Sequence, residues 1–248
     1  MKKSLIIIFL VLFVIYHQNT LFKTTFTPPK YQDISEIIKK SSFSFADYQL
    51  LQEQCGLNKE AIDSLPKEEL LTYQHQYIYP FDTKTVINGL IVNEVNVEDD
   101  KIAYIKTIPL ETGDLVLCFS SSTMMYHHGH SAVFYEGKLL TIENPTKLSG
   151  FYDEHYLNKY STVCVLRLKE EYRYLLNNIN CDDLIDKPYK FIISKNNATY
   201  KGGYCSYNSY YFYKKMGLSC DGDGGFFVTP RDLYESEYFD VLQKYRLN

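Results

Sequence analysis

The sequence predicts an α+β fold built on an antiparallel sheet of five to six strands. Three observations carry that expectation: a helical pattern from Asp33 to about Tyr77, a series of short β-branched runs after it, and the late stretch "CSYNSYYFYKKMG", which has the length of a helix. Five or six consecutive strands set between helices are the pattern of an antiparallel α+β domain.

The chain opens with Lys2 and Lys3 ahead of an apolar run at 5–16, closed by His17-Gln18-Asn19-Thr20. The run covers 12 positions, the length of a signal h-region and short of the roughly 20 residues that span a bilayer. No small-residue cleavage site follows. Residues 1–22 are therefore expected to be a signal peptide or a signal-anchor, which would export the protein or hold it on the outer face of a membrane. Residues 23–80 read as a linker, marked by Pro28-Pro29, and a small helical subdomain. There "FADYQLLQEQCG" stops at Gly56, Asn58 caps "KEAIDSL", and Ser64 with Pro66 opens "KEELLTYQHQY".

Residues 81–248 are strand-rich. "TVINGLIV" places Asn88-Gly89 between β-branched runs, a strong hairpin mark. "KIAYIKTI", "DLVLCF", "HSAVFY", "KLLTIE" and "TVCVLRL" follow as short strands parted by Gly, Asp or Asn. The pair around Glu136-Gly137 reads as a second hairpin. "CSYNSYYFYKKMG" then stops at Gly217.

A net charge of −4 without a basic block argues against a nucleic-acid groove. Six cysteines are scattered with no C-x-x-C pair, which gives no zinc spacing. Export would permit disulfides, but Cys118 and Cys164 lie in apolar runs where a small buried thiol is the commoner role. Asn197 heads a glycosylation sequon.

Cys205 differs from the other cysteines because it follows "KGGY" at the first turn of a predicted helix. Unpaired amides and the helix dipole favour thiolate there, and Gly202-Gly203 permit close approach. His130 starts a strand and is the candidate base. Glu143 ends the next strand of the same hairpin, so a pairing across it would orient the imidazole. Each has a duller alternative: a structural thiol, a hydrogen-bonded histidine and a turn carboxylate. A zinc site from His127, His128, His130 and Cys118 lacks a known ligand spacing. "DGDGG" at 221–225 resembles a calcium loop, but Phe226 stands where the EF-hand needs glycine, so a tight turn is expected and no metal.

"TGDLVL", "HHGHSAVFYEG", "LLTIENP", "YCSYNSYYFYKKMG" and "DGDGGFFVTPRDLYES" occur in that order. Together they resemble the circularly permuted branch of the NlpC-type, papain-like superfamily, in the YycO/YiiX-type group related to cell-wall-associated hydrolases. The resemblance spans roughly Leu110 to Leu242 and rests on Gly113-Asp114, Gly129-His130, Glu143, Cys205, Asp223-Gly224-Gly225 and Thr229-Pro230. Many members carry "SELVW" or "SQLVW" after the cysteine where this chain has "SYNSYY", and Asn144-Pro145 replaces small or aliphatic residues after the acidic position.

The resemblance implies a papain-like catalytic domain over 81–248 and an exported thiol hydrolase with Cys205 as nucleophile, His130 as base and Glu143 as orienting residue. Tyr204, Ser131 and His128 are expected to line the substrate or oxyanion site, with no cofactor. The implied substrate is an amide of peptidoglycan stem peptides or another extracellular amide or ester. The same residues would also serve a lipid acyl hydrolase or acyltransferase. A binding module that keeps the fold without catalysis, docking to the cell wall, is the remaining alternative.

Overall fold

The computed structural model describes residues 26–247 apart from 90, 124, 125, 192, 194 and 196–198. The apolar run at 5–16 and Asn197 of the sequon lie outside the described residues. No helix among those described is long and apolar enough to cross a membrane.

Four helices open the fold: α1 (Ser35–Ile38), α2 (Phe45–Cys55), α3 (Lys59–Ser64) and α4 (Leu70–Ile78). α2 begins at a reciprocal cap between Ser44 and Asp47 and ends at Gly56 in the left-handed region. The Asn58 side chain accepts from the Ala61 amide and starts α3. The single helix expected from Ser64 onward is broken. Leu65, preceding proline, is extended, Lys67–Glu69 forms one 3₁₀ turn, and α4 starts only at Leu70.

The first strands are β1 (Asp82–Asn88), β2 (Ile91–Glu98), β3 (Lys101–Ile102), β4 (Leu115–Cys118), β5 (Ser121–Thr123) and β6 (Tyr126–His127). Then come β7 (His130–Tyr135), β8 (Lys138–Thr141), β9 (Gly150–Tyr152) and β10 (Val163–Leu168). Helices α5 (Glu170–Arg173), α6 (Cys205–Lys214) and α7 (Pro230–Tyr234) precede the last strand, β11 (Phe239–Tyr245). The strands make two antiparallel sheets. A smaller one runs β1-β2-β5-β6 with β3 on β2, and a six-stranded one runs β11-β10-β4-β7-β8-β9. The expected hairpins are both present, with Asn88 opposite Ile91 and Tyr135 opposite Lys138. The run "KIAYIKTI" pairs only at its first two residues.

The six-stranded sheet is covered on both faces, which explains why its strands read as unbroken apolar runs. Along β4 and β10 alternate side chains enter opposite cores. Val116, Cys118, Val163 and Val165 meet Ile34, Leu51 and Tyr73 from the helical subdomain. Leu115, Leu117, Cys164 and Leu166 meet Tyr207, Phe212 and Tyr213 of α6. The subdomain thus shares its core with the sheet.

The Gly113-Asp114 turn is anchored from beneath. Arg167 on β10 holds the fully buried Asp114 through two hydrogen bonds of 2.8 Å, and its third nitrogen reaches Glu111 at 2.7 Å. Burial pushes the Asp114 carboxyl up, while the Arg167 guanidinium opposes it. We read the pair as ionised, because a bidentate fork of this geometry offsets the desolvation. It fixes where β4, and hence its partner β7, begins.

Candidate active site

β7 starts at His130, and its pairing explains why that residue is placed so firmly. Cys118 lies opposite His130 and Leu117 opposite Ser131. Gly129 turns the chain into the strand with φ +67°, and a Cβ there would sit 2.7 Å from the Cys118 carbonyl oxygen. Only glycine fits. Because side chains alternate, His130 points to the face shared with Cys118, and Ser131 points to α6, where its hydroxyl meets Ser209 at 2.9 Å.

The imidazole is buried among tyrosines. Tyr160 stacks on it with ring centres 5.2 Å apart and 12° between planes, and Tyr156 leans against it at 5.5 Å. Its Nε2 lies 3.1 Å from Thr141 Oγ1 and 3.0 Å from the Tyr156 hydroxyl. Thr141 donates its one proton to the Ser131 carbonyl at 2.7 Å, so it can only accept from the ring. Tyr156 accepts from the Tyr160 hydroxyl at 3.2 Å and so has its own proton to direct at the same nitrogen, while Nδ1 makes no hydrogen bond among the described residues. Burial, with smaller contributions from His128 and Lys159, pulls the His130 pKa down to about 3. At neutral pH it is an uncharged base.

Cys205 is the first residue of α6. Its N-cap, Tyr204, is extended and its side chain caps no amide. The vacant first turn is filled by the cysteine sulfur, which takes hydrogen bonds from its own amide, from Ser206 and from the Ser131 amide of β7. The nucleophile candidate therefore contacts the residue adjacent to His130. Before it, Gly203 bridges to Tyr189 and Gly202, at φ +99°, lies where a Cβ would strike the Pro188 carbonyl oxygen. The glycine pair lets 188–190 run against the chain at the helix start.

The electrostatics correct one expectation. The sequence places Cys205 where a thiolate is favoured, yet burial outweighs the amides and pushes its thiol up from the ordinary value. The resting pair is thiol and neutral imidazole.

The other expected residues divide. Glu143 accepts from Lys159 Nζ at 2.5 Å and is not among the hydrogen-bond partners of the His130 ring. The β7–β8 ladder stops at Val133 opposite Leu140, so the strands have parted before Glu143 can face His130. Lys159 in turn sits 4.4 Å over the Tyr156 ring, placing Glu143 two contacts away from the imidazole. His128 has Thr123 and the Gly129 carbonyl on its two ring nitrogens, which locks the loop. Ser131 contributes its amide rather than its buried hydroxyl. The Tyr204 hydroxyl accepts from the Val228 amide at 3.0 Å, holding the 221–228 loop beside the helix start.

Thr141, Tyr156 and Tyr160 were not singled out by sequence reading. Tyr156 lies in the 3₁₀ segment Glu154–Lys159 and Tyr160 is the extended residue that follows it, so no helical period marks them in the sequence. Aromatic side chains also rim the site. Phe191 is 65% exposed and packs on Tyr189, and Phe226 and Phe227 are 61% and 46% exposed, with Phe227 against Tyr204. None of the six cysteines is in a disulfide, and Cys118 and Cys164 are buried. Compared with protein-family models, with curated proteins and with solved structures, the chain matches none.

Proposed function

We propose that the chain is an exported, papain-like thiol hydrolase of circularly permuted order, acting on an amide through Cys205 and His130. The observation that carries the reading is that the Ser131 amide, next to the His130 imidazole, is among the groups that favour a thiolate at Cys205, while Nε2 of that ring is engaged by Thr141 and Tyr156 and Nδ1 makes no hydrogen bond among the described residues. The resting groups are neutral, so proton transfer accompanies attack. The thiol proton passes to His130 Nδ1 as the sulfur bonds to the substrate carbonyl carbon. As the sulfur bonds to carbon, the Cys205 amide turns from the sulfur to the developing oxyanion. His130 then returns the proton to the leaving nitrogen as the C–N bond breaks. Water hydrolyses the thioester, releasing a carboxylic acid and restoring the thiol. Thr141 and Tyr156 orient the ring, and Glu143 acts at one remove by holding Lys159 against Tyr156.

The substrate class, peptidoglycan stem peptides, comes from the sequence resemblance. A second reading, an acyl-lipid ester, is favoured by the exposed Phe191, Phe226 and Phe227 beside the site. Wild type and Cys205→Ala incubated with stem-peptide fragments and with acyl lipids, followed by mass spectrometry, distinguish the two. Cysteine-dependent loss of a peptide bond supports the first, and of an acyl ester the second. No cysteine-dependent product with either panel overturns both.

A further inference from the structure

The loop after α6 carries a feature unrelated to the thiol chemistry. One carboxylate oxygen from each of Asp221, Asp223 and Asp232 lies within 4.8 Å of the other two. Acidic clusters are common, and this one would mean little without the state of Asp221. Its side chain is only 9% exposed. Oδ2 is paired with Lys195, whereas Oδ1 is shielded from solvent and has no hydrogen-bond partner. A buried anionic oxygen without a partner is costly and needs a reason.

The two neighbours are held so that one oxygen each remains. Asp232 Oδ2 accepts from the Thr229 amide at 2.7 Å and the Thr229 hydroxyl at 2.8 Å, as the cap of α7. Asp223 Oδ1 accepts from the Gly225 amide at 2.6 Å. Among the described residues, Asp232 Oδ1 and Asp223 Oδ2 have no hydrogen bond. Lys195 forms an ion pair with Asp221, a single charge against that carboxylate.

We infer that Asp221, Asp223 and Asp232 form a site for a divalent cation of the calcium type. Three hard oxygen ligands without imidazole or thiolate select calcium or magnesium over zinc or copper. The spacing supports calcium. Counting Asp221 as the first position, the carboxylates occupy positions 1, 3 and 12, those of the EF-hand loop, and α7 begins at position 10. Phe226 at position 6 rules out the EF-hand turn itself. The remaining ligands would be water or backbone carbonyl.

A cation here would brace the nucleophile's surroundings. The Ser206 hydroxyl donates to the Val228 carbonyl at 2.8 Å, and the Val228 amide donates to Tyr204. The loop that carries Asp221 and Asp223 is thus tied to the residues on both sides of Cys205. The inference does not depend on hydrolysis.

The test is calorimetric titration of CaCl₂ into the chelator-treated full chain, with melting curves in parallel. Asp223 is exposed, so Asp223→Asn keeps the fold, and asparagine can still accept from Gly225. Asp221→Asn is the second variant. The expected result is one calcium ion per chain with a Kd of about 10⁻⁴ M, a melting temperature raised by calcium, and binding at least tenfold weaker in both variants. Absence of heat and of a melting shift at millimolar calcium, or unchanged binding in Asp223→Asn, overturns the site.

Discussion

Thr141 stands 3.1 Å from His130 Nε2 while its own proton is given to the Ser131 carbonyl. A single hydroxyl thereby touches the candidate base and anchors it to the Ser131 backbone. Thr141→Val should remove both effects. Leaving the buried Ser131 carbonyl short of the Thr141 hydroxyl costs about 1–3 kcal/mol of stability, measurable by urea unfolding. Activity should fall more than stability explains, and Thr141→Ser should restore most of it.

Glu143 and Tyr156 separate the expected orienting residue from the one in contact. Tyr156→Phe removes a hydroxyl 3.0 Å from the ring, whereas Glu143→Gln weakens only the pair with Lys159, whose side chain is 44% exposed. Partly exposed ion pairs contribute about 0–1 kcal/mol. Glu143→Gln should therefore leave kcat/KM within a few-fold of wild type, with Tyr156→Phe the more damaging. The reverse ranking would restore the carboxylate as the direct partner.

How far the site could be read in advance follows from these contacts. β4, β7, β8 and β10 were legible because burial on two faces demands runs such as "LVLC" and "VCVL". The turns at Asn88-Gly89 and Glu136-Gly137 were legible from local backbone preference. β11 was not, because "FDVLQKY" lacks a sharp period and is specified by the β10 edge it completes. The stretch "KIAYIKTI" has strand composition, but after Ile102 it is spent on long-range bonds. The Thr107 carbonyl accepts from Tyr73, and the Ile108 amide donates to Gln243. The positions of Cys205 at a helix start and His130 at a strand start were legible, and both elements begin there. Their supporting shell was not, since Tyr156 and Tyr160 come from a separate segment and meet the ring only after folding.

The histidine also predicts an acid sensitivity. A group whose native pKa is lowered, here from 6.5 to about 3, binds fewer protons folded than unfolded between those values. Its contribution is therefore complete above pH 6.5 and is lost as pH falls toward 3. One such group lowers stability by about 3 kcal/mol between pH 7 and pH 4. Denaturant unfolding at both pH values should show a smaller loss for His130→Gln than for wild type. Equal losses would place the imidazole in contact with water.

The thiol should behave oppositely to an activated cysteine in the free protein. Because burial raises the Cys205 thiol, alkylation by iodoacetamide should be slow at pH 7 and climb only above the ordinary thiol range, with Cys205→Ser as the blank for the buried cysteines. A fast reaction at pH 6 would indicate a preformed thiolate–imidazolium pair.

The arginine beneath the sheet gives a purely structural check. Arg167→Met strands the buried Asp114 carboxylate and should cost about 3–5 kcal/mol, read by unfolding midpoint.

Transfer of an acyl group to Cys205 that requires His130 is the core of this reading. Intact-protein mass spectrometry after a short incubation with an activated acyl ester tests it most directly. Wild type should gain one acyl mass located on Cys205, with the adduct absent in Cys205→Ala and at least a hundredfold slower to form in His130→Gln. An adduct that forms at the wild-type rate in His130→Gln, or that sits on another residue, contradicts the assignment.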